Sequence, residues 1–401
     1  MSTLKVNTIQ DTTGDTALTF DSSGNTTISK KLTSVNGNGF PSAGSLSHRN
    51  LIINGDMQVW QRSTSSTTDG YSTVDRWKTS YGGENEDPTF SKQDLTSSDT
   101  GPWEKGFRHA LKVTNGNQTS TDADDYLIIS QRFESQTMAQ SGWDYTSASS
   151  YITLSFWVRS SVAQNFYGYL RTEDGTGQLY PFETGSLSAN TWTKITKTIP
   201  GHANVQFDNN VARSCILDIW PFGGTDYSAS PTLNTWANYA SGTRFPANTA
   251  TWWTTDDATF AITGAQLEVG ETATPFEHLS YGDQLNRCLR YYYKIVCDDQ
   301  GDLGVAPGWC RDTDTCHGNI NFPVPMRDNP SALETSGTAG HYAVAHKTSG
   351  PIATSVPSFD SATKYSASLT VNVTGTPFTA GECGRIQKQT NDAYLAWESE
   401  L

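Results

Sequence analysis

The sequence predicts an all-β protein: an elongated oligomer with a short N-terminal β segment, a central β-sandwich, a short helix and a C-terminal β-sandwich. Three observations lead there. Through most of the 401 residues apolar side chains alternate with polar ones, the period of two that puts every second side chain on one face of a strand. The composition suits such strands, with 11% aromatics and 12 Trp amid abundant Thr, Ser, Gly and Asn, and only 17% charged residues. Helical periodicity surfaces once. The length calls for two or three domains.

Residues 1–48 read as short strands and turns with almost no core. Leu4, Val6 and Ile9 are followed by the turn Thr13-Gly14-Asp15, then by Leu18 and Phe20, another turn at Ser22-Ser23-Gly24-Asn25, and Ile28 and Leu32. So few apolar residues do not offset the entropy of ordering the chain. The segment is therefore expected to order against copies of itself or against a partner. Gly37-Asn38-Gly39-Phe40-Pro41-Ser42-Ala43-Gly44-Ser45 has the composition of a linker.

Residues 49–278 form the predicted sandwich. In one strand Ile152, Leu154, Phe156 and Val158 share a face, and Tyr151, Thr153, Ser155, Trp157 and Arg159 share the other. Phe166, Gly168 and Leu170 alternate with Tyr167, Tyr169 and Arg171, and Cys215, Leu217 and Ile219 with Ile216, Asp218 and Trp220. Thr193, Ile195 and Ile199 follow Trp192, and a long last strand runs from Phe260 and Ile262 through Leu267 and Val269. Many strands without helices between them indicate a sandwich. The cluster Thr121-Asp122-Ala123-Asp124-Asp125 reads as a solvated loop.

The period changes in the connector, residues 279–296. Ser280 with Asp283 three residues on is a capping arrangement, and Leu285, Cys288, Leu289 and Tyr292 follow at helical spacing, predicting a helix over 281–295. Residues 297–401 return to β, with Ile320, Phe322 and Val324, then Leu369, Val371 and Val373, then Tyr394-Leu395-Ala396-Trp397.

The net charge of -14 makes phosphate backbones and anionic bilayers poor partners, so neither nucleic acid nor membrane insertion is expected. No apolar run approaches the roughly 20 residues of a membrane span. The opening residues lack the basic-then-apolar pattern of a secretory leader, so production in a cytoplasm is expected. Free thiols are expected there for the six Cys, and the spacing of Cys310 and Cys316-His317 is no zinc signature.

Three stretches resemble phage tail-fibre and receptor-binding proteins. The first is Leu4-Lys5-Val6-Asn7-Thr8-Ile9-Gln10-Asp11 with Phe20-Asp21-Ser22-Ser23-Gly24-Asn25, which looks like the start of structural proteins in phages of marine bacteria, cyanobacterial phages among them. The second is a frame opened by Asn50-Leu51-Ile52-Ile53-Asn54-Gly55-Asp56-Met57 and Asp75-Arg76-Trp77. It is closed by Ala265-Gln266-Leu267-Glu268-Val269-Gly270, Ala273-Thr274-Pro275-Phe276-Glu277 and Cys288-Leu289-Arg290-Tyr291-Tyr292-Tyr293. This frame is similar to jelly-roll carbohydrate-binding modules. The third is Phe322-Pro323-Val324-Pro325-Met326-Arg327-Asp328-Asn329-Pro330 with the ending Ala393-Tyr394-Leu395-Ala396-Trp397-Glu398-Ser399-Glu400-Leu401. The resemblance implies a homotrimeric virion appendage with a central jelly roll. Residues 1–48 would join other tail or baseplate proteins, and the sandwich would bind a host surface polysaccharide. A mainly structural part, such as a capsid fibre or tail connector, is the alternative it leaves open.

Sugar rings are recognised by flat aromatic faces, with amides, carboxylates and guanidinium groups for the hydroxyls. The candidates are Trp157 and Arg159, with Tyr167, Tyr169 and Arg171 on what reads as the same polar face, and Trp220, Trp252 and Trp253 in later strands and loops. Trp60, Trp77 and Trp192 read as packing residues. Similar modules hold a structural calcium between first and last strands. Here Asp56 is the candidate ligand, although Met57-Gln58 and Gly264-Ala265 stand where further acids would help. Glycoside hydrolysis requires a pair of carboxylates at set separation, and the sequence singles out none. No nucleophile, zinc or phosphate-loop motif is present, so a polysaccharide depolymerase is the weaker rival to a binding protein.

Overall fold

The computed structural model describes residues 7–10, 12–20, 22–23, 26–28, 34–35, 38–39, 47–296, 304–346 and 349–401. Its strands, in chain order, are β1 Thr8–Gln10, β2 Thr16–Phe20, β3 Thr26–Ile28, β4 Ser34–Val35, β5 Asn38–Gly39, β6 Ser65–Ser66, β7 Trp77–Gly82, β8 Thr89–Asp94, β9 His109–Thr114 and β10 Tyr126–Glu134. A one-turn helix α1, Ser135–Ala139, precedes β11 Tyr151–Ser160, β12 Asn165–Thr172, β13 Gln178–Ser186, β14 Thr193–Pro200, β15 Arg213–Gly223, β16 Ala237–Asn238 and β17 Thr259–Val269. Helix α2, Tyr281–Leu289, leads to β18 Tyr292–Val296, β19 Gly304–Cys310, β20 Thr315–Asn321, β21 Glu334–Thr335, β22 Tyr342–His346, β23 Ser349–Ala353, β24 Ser358–Ala362, β25 Ser366–Asn372, β26 Cys383–Lys388 and β27 Tyr394–Glu398. The protein is all-β.

Two six-stranded antiparallel sheets face each other, ordered β16-β13-β12-β15-β10-β7 and β14-β11-β17-β9-β8-β6. Between them lies the main core, to which β11 gives Ile152, Leu154, Phe156 and Val158, β12 gives Phe166 and Leu170, and β15 gives Cys215, Leu217 and Ile219. These are the faces the alternation assigns inward. Between β6 and β17 the chain changes sheet at most connections, staying in one sheet only from β8 to β9, β12 to β13 and β15 to β16. That corrects one reading. Strands β11 and β12 are not a hairpin: the four residues between them cross the sandwich. Trp157 and Arg159 therefore lie on one outer face, and Tyr167, Tyr169 and Arg171 on the opposite one.

The frame residues are joints between distant segments. Asn50 is buried, its amide donating to the Ala265 carbonyl at 3.2 Å while its oxygen accepts from the Ile52 and Leu267 amides. Asn54, with φ of 58°, donates to the Val59 and Asp75 carbonyls and accepts from the amides of Gln58 and Val59. Its own carbonyl takes the Trp77 indole N–H at 3.0 Å. The buried side-chain amides of Asn50 and Asn54 are thereby satisfied. The acidic loop before β10 is less solvated than expected: Asp125 is buried, accepting from the Asp122 amide and the Trp253 indole.

In the N-terminal segment β1-β2-β3 form a small meander, and none of its described side chains is buried. Leu4, Val6 and Leu32 lie outside the described residues. Helix α2 begins as predicted, Ser280 Oγ accepting from the Asp283 amide. It ends at Leu289, however, and not near residue 295. Tyr292-Tyr293-Lys294-Ile295-Val296 has strand composition and pairs with β27, which overrides the helical spacing. Sheets β18-β27-β21 and β23-β22-β26-β19-β20-β25-β24 enclose a second core around Leu369, Ile386, Leu395 and Trp397. The free-thiol reading needs one correction. Cys310 and Cys316 sit opposite each other on β19 and β20 and form a disulfide, whereas Cys215, Cys288 and Cys383 are free. Cys297 lies outside the described residues.

The two sandwiches meet in a buried polar junction. Arg76, 1% exposed, pairs with the Glu400 carboxylate, donates to the Arg132 carbonyl at 2.7 Å and lies 3.4 Å from the Tyr291 ring centre. Arg62 reaches Glu398 and Glu400 at 3.1 and 3.3 Å and stacks on Tyr292. Arg290 makes two hydrogen bonds to Glu134, which also accepts from the Tyr291 hydroxyl at 2.6 Å. Burial alone would raise Glu134, but these donors hold it below the usual carboxylate range. Arg327 closes the junction by donating to the Ser399, Glu400 and Val211 carbonyls.

Candidate functional site

The outer face of β14-β11-β17 carries a cleft of about 370 Å³, within the roughly 300–1,000 Å³ of small-ligand sites. Strand register builds its floor. Trp157 stands opposite Lys194 and Thr263, and Ser155 opposite Thr196. At Gly264 the pairing of β11 with β17 slips, and its φ of 63° is the left-handed value that glycine takes without strain. A Cβ there would come within 2.6 Å of the Phe107 ring, so the bulge leaves room for that wall residue.

The walls come from two loops. Phe107, Phe276 and His278 pack edge to face or tilted, with centroids 4.9 to 5.1 Å apart. His278 Nε2 donates to the Lys105 carbonyl at 2.8 Å, pinning the segment after β17 to the loop before β9. Lys105, Ala273, Thr274 and Pro275 complete the lining. Trp157 is half-buried, and Gly101 lies against its benzenoid edge. The cleft thus offers an aromatic floor, aromatic walls, hydroxyls from Ser155 and Thr196, and ammonium groups from Lys105 and Lys194.

Among the sequence candidates only Trp157 lines this cleft. Arg159, next along the same face, pairs with Asp99 at 2.8 Å. Burial pushes Asp99 up, but the Trp192 indole N–H at 3.0 Å, the Thr96 amide and Arg159 outweigh it and hold the carboxyl down. Arg159 thus serves the fold.

The opposite outer face is covered by residues 224–250. Trp220 is fully buried there among Tyr169, Tyr126, Tyr227 and Phe245. Tyr169 is buried too, Tyr167 stacks on Phe245, and Arg171 lies 3.6 Å from the Tyr239 ring centre while pairing with Glu173 at 3.2 Å. This is a satellite core, not an open platform. Trp252 and Trp253, the candidates in the loop before β17, are fully buried. Trp252 donates to the Thr259 carbonyl at 3.0 Å, and Trp253 stacks on Phe222 and donates to Asp125. A ring with no free face offers nothing to a sugar.

Asp56 is 4% exposed; one oxygen accepts from the Gln58 side-chain amide, and the other has no hydrogen-bond partner among the described residues. Near the first and last strands, Glu268 and Glu277 face the chain's own cation, Arg49, at 3.4 and 3.8 Å. Among the described residues no three His, Cys, Asp or Glu side chains cluster as a metal site would.

The residues missed by sequence reasoning are Lys105, Phe107, Lys194, Thr196, Phe276 and His278. Lys194 and Thr196 were legible as outward positions flanking Ile195. Lys105 and Phe107 meet Phe276 and His278 only through contacts more than a hundred residues apart.

No family model matches the chain, and no curated protein matches it. Solved structures similar to it include the enzymatically active domain of bacteriophage CBA120 tailspike protein 4, at 11% identity and a TM-score of 0.29, covering 55% of this chain. The match spans only 21% of that domain. A family 11 carbohydrate-binding module of a Clostridium thermocellum cellulase matches at 12% identity and a TM-score of 0.24, covering 51% of this chain and 95% of that one. A family 61 module in complex with β-1,4-galactotriose matches at 12% identity and 0.26, covering 56% and 99%. These scores are low, and the assignment of a ligand rests on the cleft.

Proposed function

We propose that the central sandwich binds a saccharide in the Trp157 cleft and does not cleave it, within a fibre-type protein that attaches a phage particle to a host surface polysaccharide. The observation that carries the binding reading is the lining of the cleft: an aromatic floor and walls ringed by hydroxyl and ammonium donors. Among the described residues no carboxylate lines it, whereas glycoside hydrolysis needs two flanking the scissile bond. The virion role is supported by the tail-fibre-like motifs and by an N-terminal meander without a buried side chain among its described residues, which calls for a packing partner; the resemblance makes that partner a homotrimer with a tail or baseplate protein.

The test is retention of the purified chain on immobilised host polysaccharide, with release of reducing ends followed in parallel. Retention that Trp157→Ala abolishes, with no new reducing ends, is the expected result. Undiminished retention in Trp157→Ala removes the cleft from the account, and accumulating reducing ends would make the protein a depolymerase. For the virion role, the chain should block particle adsorption when added in excess, and failure to do so at saturating retention refutes it.

A further inference from the structure

The chain carries 41 acidic against 27 basic residues, yet the cleft is lined by two lysines and a histidine and, among the described residues, by no acid. Register puts Lys194 directly across from Trp157, so a ring lying on the indole has an ammonium group at its edge. Desolvation lowers the Lys194 pKa, the pull of Glu268 opposes it and the like charge of Lys105 adds to it; both ammonium groups belong to the lining of the one cleft. Glu268 is already engaged, taking the Thr274 hydroxyl at 2.7 Å beside Arg49. Among the described residues neither lysine is ion-paired, so an anion entering the cleft meets two ammonium groups.

We propose that the cleft selects an acidic saccharide, one whose ring lies on Trp157 and whose carboxylate or sulfate is met by Lys194 and Lys105. This rests on the reading of the cleft as a saccharide site and adds the charge class. The overall charge of -14 does not forbid it, because repulsion from distant acids fades beyond about 8 Å at physiological salt.

The full chain is titrated calorimetrically with an oligogalacturonate, its methyl ester, and a sulfated galactan oligomer. At least one of the two acids should bind about tenfold tighter than the ester, the gain of one charge-assisted contact. Lys105→Gln with Lys194→Gln should bring the ratio of acid to ester affinity to about one. Preference for the galacturonate assigns a carboxylate ligand, and preference for the galactan a sulfate. Equal binding of ester and acids, or a gap that survives both substitutions, overturns the charge selection and leaves the saccharide reading intact. Binding of none of the three overturns it as well, and the saccharide reading is then decided by Trp157-dependent retention on host polysaccharide.

Discussion

Glu400→Gln should uncouple the two sandwiches more severely than Arg76→Met. Glu400 and Arg76 are both buried, with side chains 2% and 1% exposed, and the carboxylate also faces Arg62 at 3.3 Å. Neutralising Glu400 leaves Arg76 a buried cation met by dipoles alone: the new amide, the Arg132 carbonyl and the Tyr291 ring. Removing one partner of a buried pair costs about 3–5 kcal/mol, because the survivor keeps its desolvation cost without the attraction that offset it. Removing Arg76 instead leaves Glu400 its second cation, Arg62, so Arg76→Met should fall at or below the low end of that range. Urea denaturation is the assay, since an ionic denaturant would screen the pair under test. Wild-type unfolding should couple the C-terminal unit to the central one, and Glu400→Gln should lower the stability of that coupled state or split it into two transitions. If Glu400→Gln lies within about 1 kcal/mol of wild type, or if Arg76→Met is the more damaging, the reasoning from burial fails.

Asp75 gives a pH test. Burial, opposed by Arg62 and the Gln61 donors, raises its pKa to about 6, from 3.8. A raised carboxyl contributes stability that is fully present below its unfolded pKa and lost as pH rises through the folded one, here between about 4 and 6. The shift of about two pKa steps corresponds to roughly 3 kcal/mol, and Asp75→Asn should abolish that slope in stability measured against pH. Glu134 acts oppositely: its lowered pKa means its contribution disappears as pH falls below about 4, so the two windows are separable. Trp253→Ala, unlike Trp157→Ala, should lower stability by about 3–5 kcal/mol through the cavity it leaves, read by thermal unfolding. Gly264→Ala should cost about 1–2 kcal/mol for its left-handed backbone and weaken saccharide binding by displacing Phe107, read by calorimetry on the folded variant. The full chain should sediment at three times 43.8 kDa; a monomer at micromolar concentration would refute the trimer.

Much of the fold was legible because the apolar face of each alternating strand turns toward the space between the sheets. The alternation through Ile152, Leu154, Phe156 and Val158 names the inner face, and Ser280 with Asp283 marks where α2 starts. Alternation assigns faces within one strand, however, and not the sheet to which the strand belongs. The four residues between β11 and β12 have the length of a hairpin loop and cross the sandwich instead, which separated Trp157 from Tyr167, Tyr169 and Arg171. Trp252 and Trp253 misled for a related reason. They lie outside any strand, where sequence carries no period, and their burial follows from Phe222, Phe260 and Asp125, which the chain brings from elsewhere. The frame motifs pointed to the right segments without disclosing what they do there. Asn50 and Asn54 tie the central sandwich to itself, and Arg76 ties it to the C-terminal unit.

The two outer faces of the central sandwich explain why one ring out of eight candidate positions lines an open cleft. Over β12 and β15 the chain folds residues 224–250 back on the sheet, so that Trp220, Tyr169 and Phe245 become a second core and their polar neighbours pair with one another. Over β11 and β14 the described residues provide no such cover, but the open rings are not loose. Gly101 backs the Trp157 ring, the Lys105 carbonyl pins His278, and Phe107 and Phe276 brace each other. Side chains already held in place lose little freedom when a ligand arrives, and affinity then reflects contact more than ordering. A recognition site on this fold therefore requires that a sheet face be left uncovered and that its rings be immobilised from behind. Of the two outer faces of the central sandwich, the Trp157 face meets both conditions.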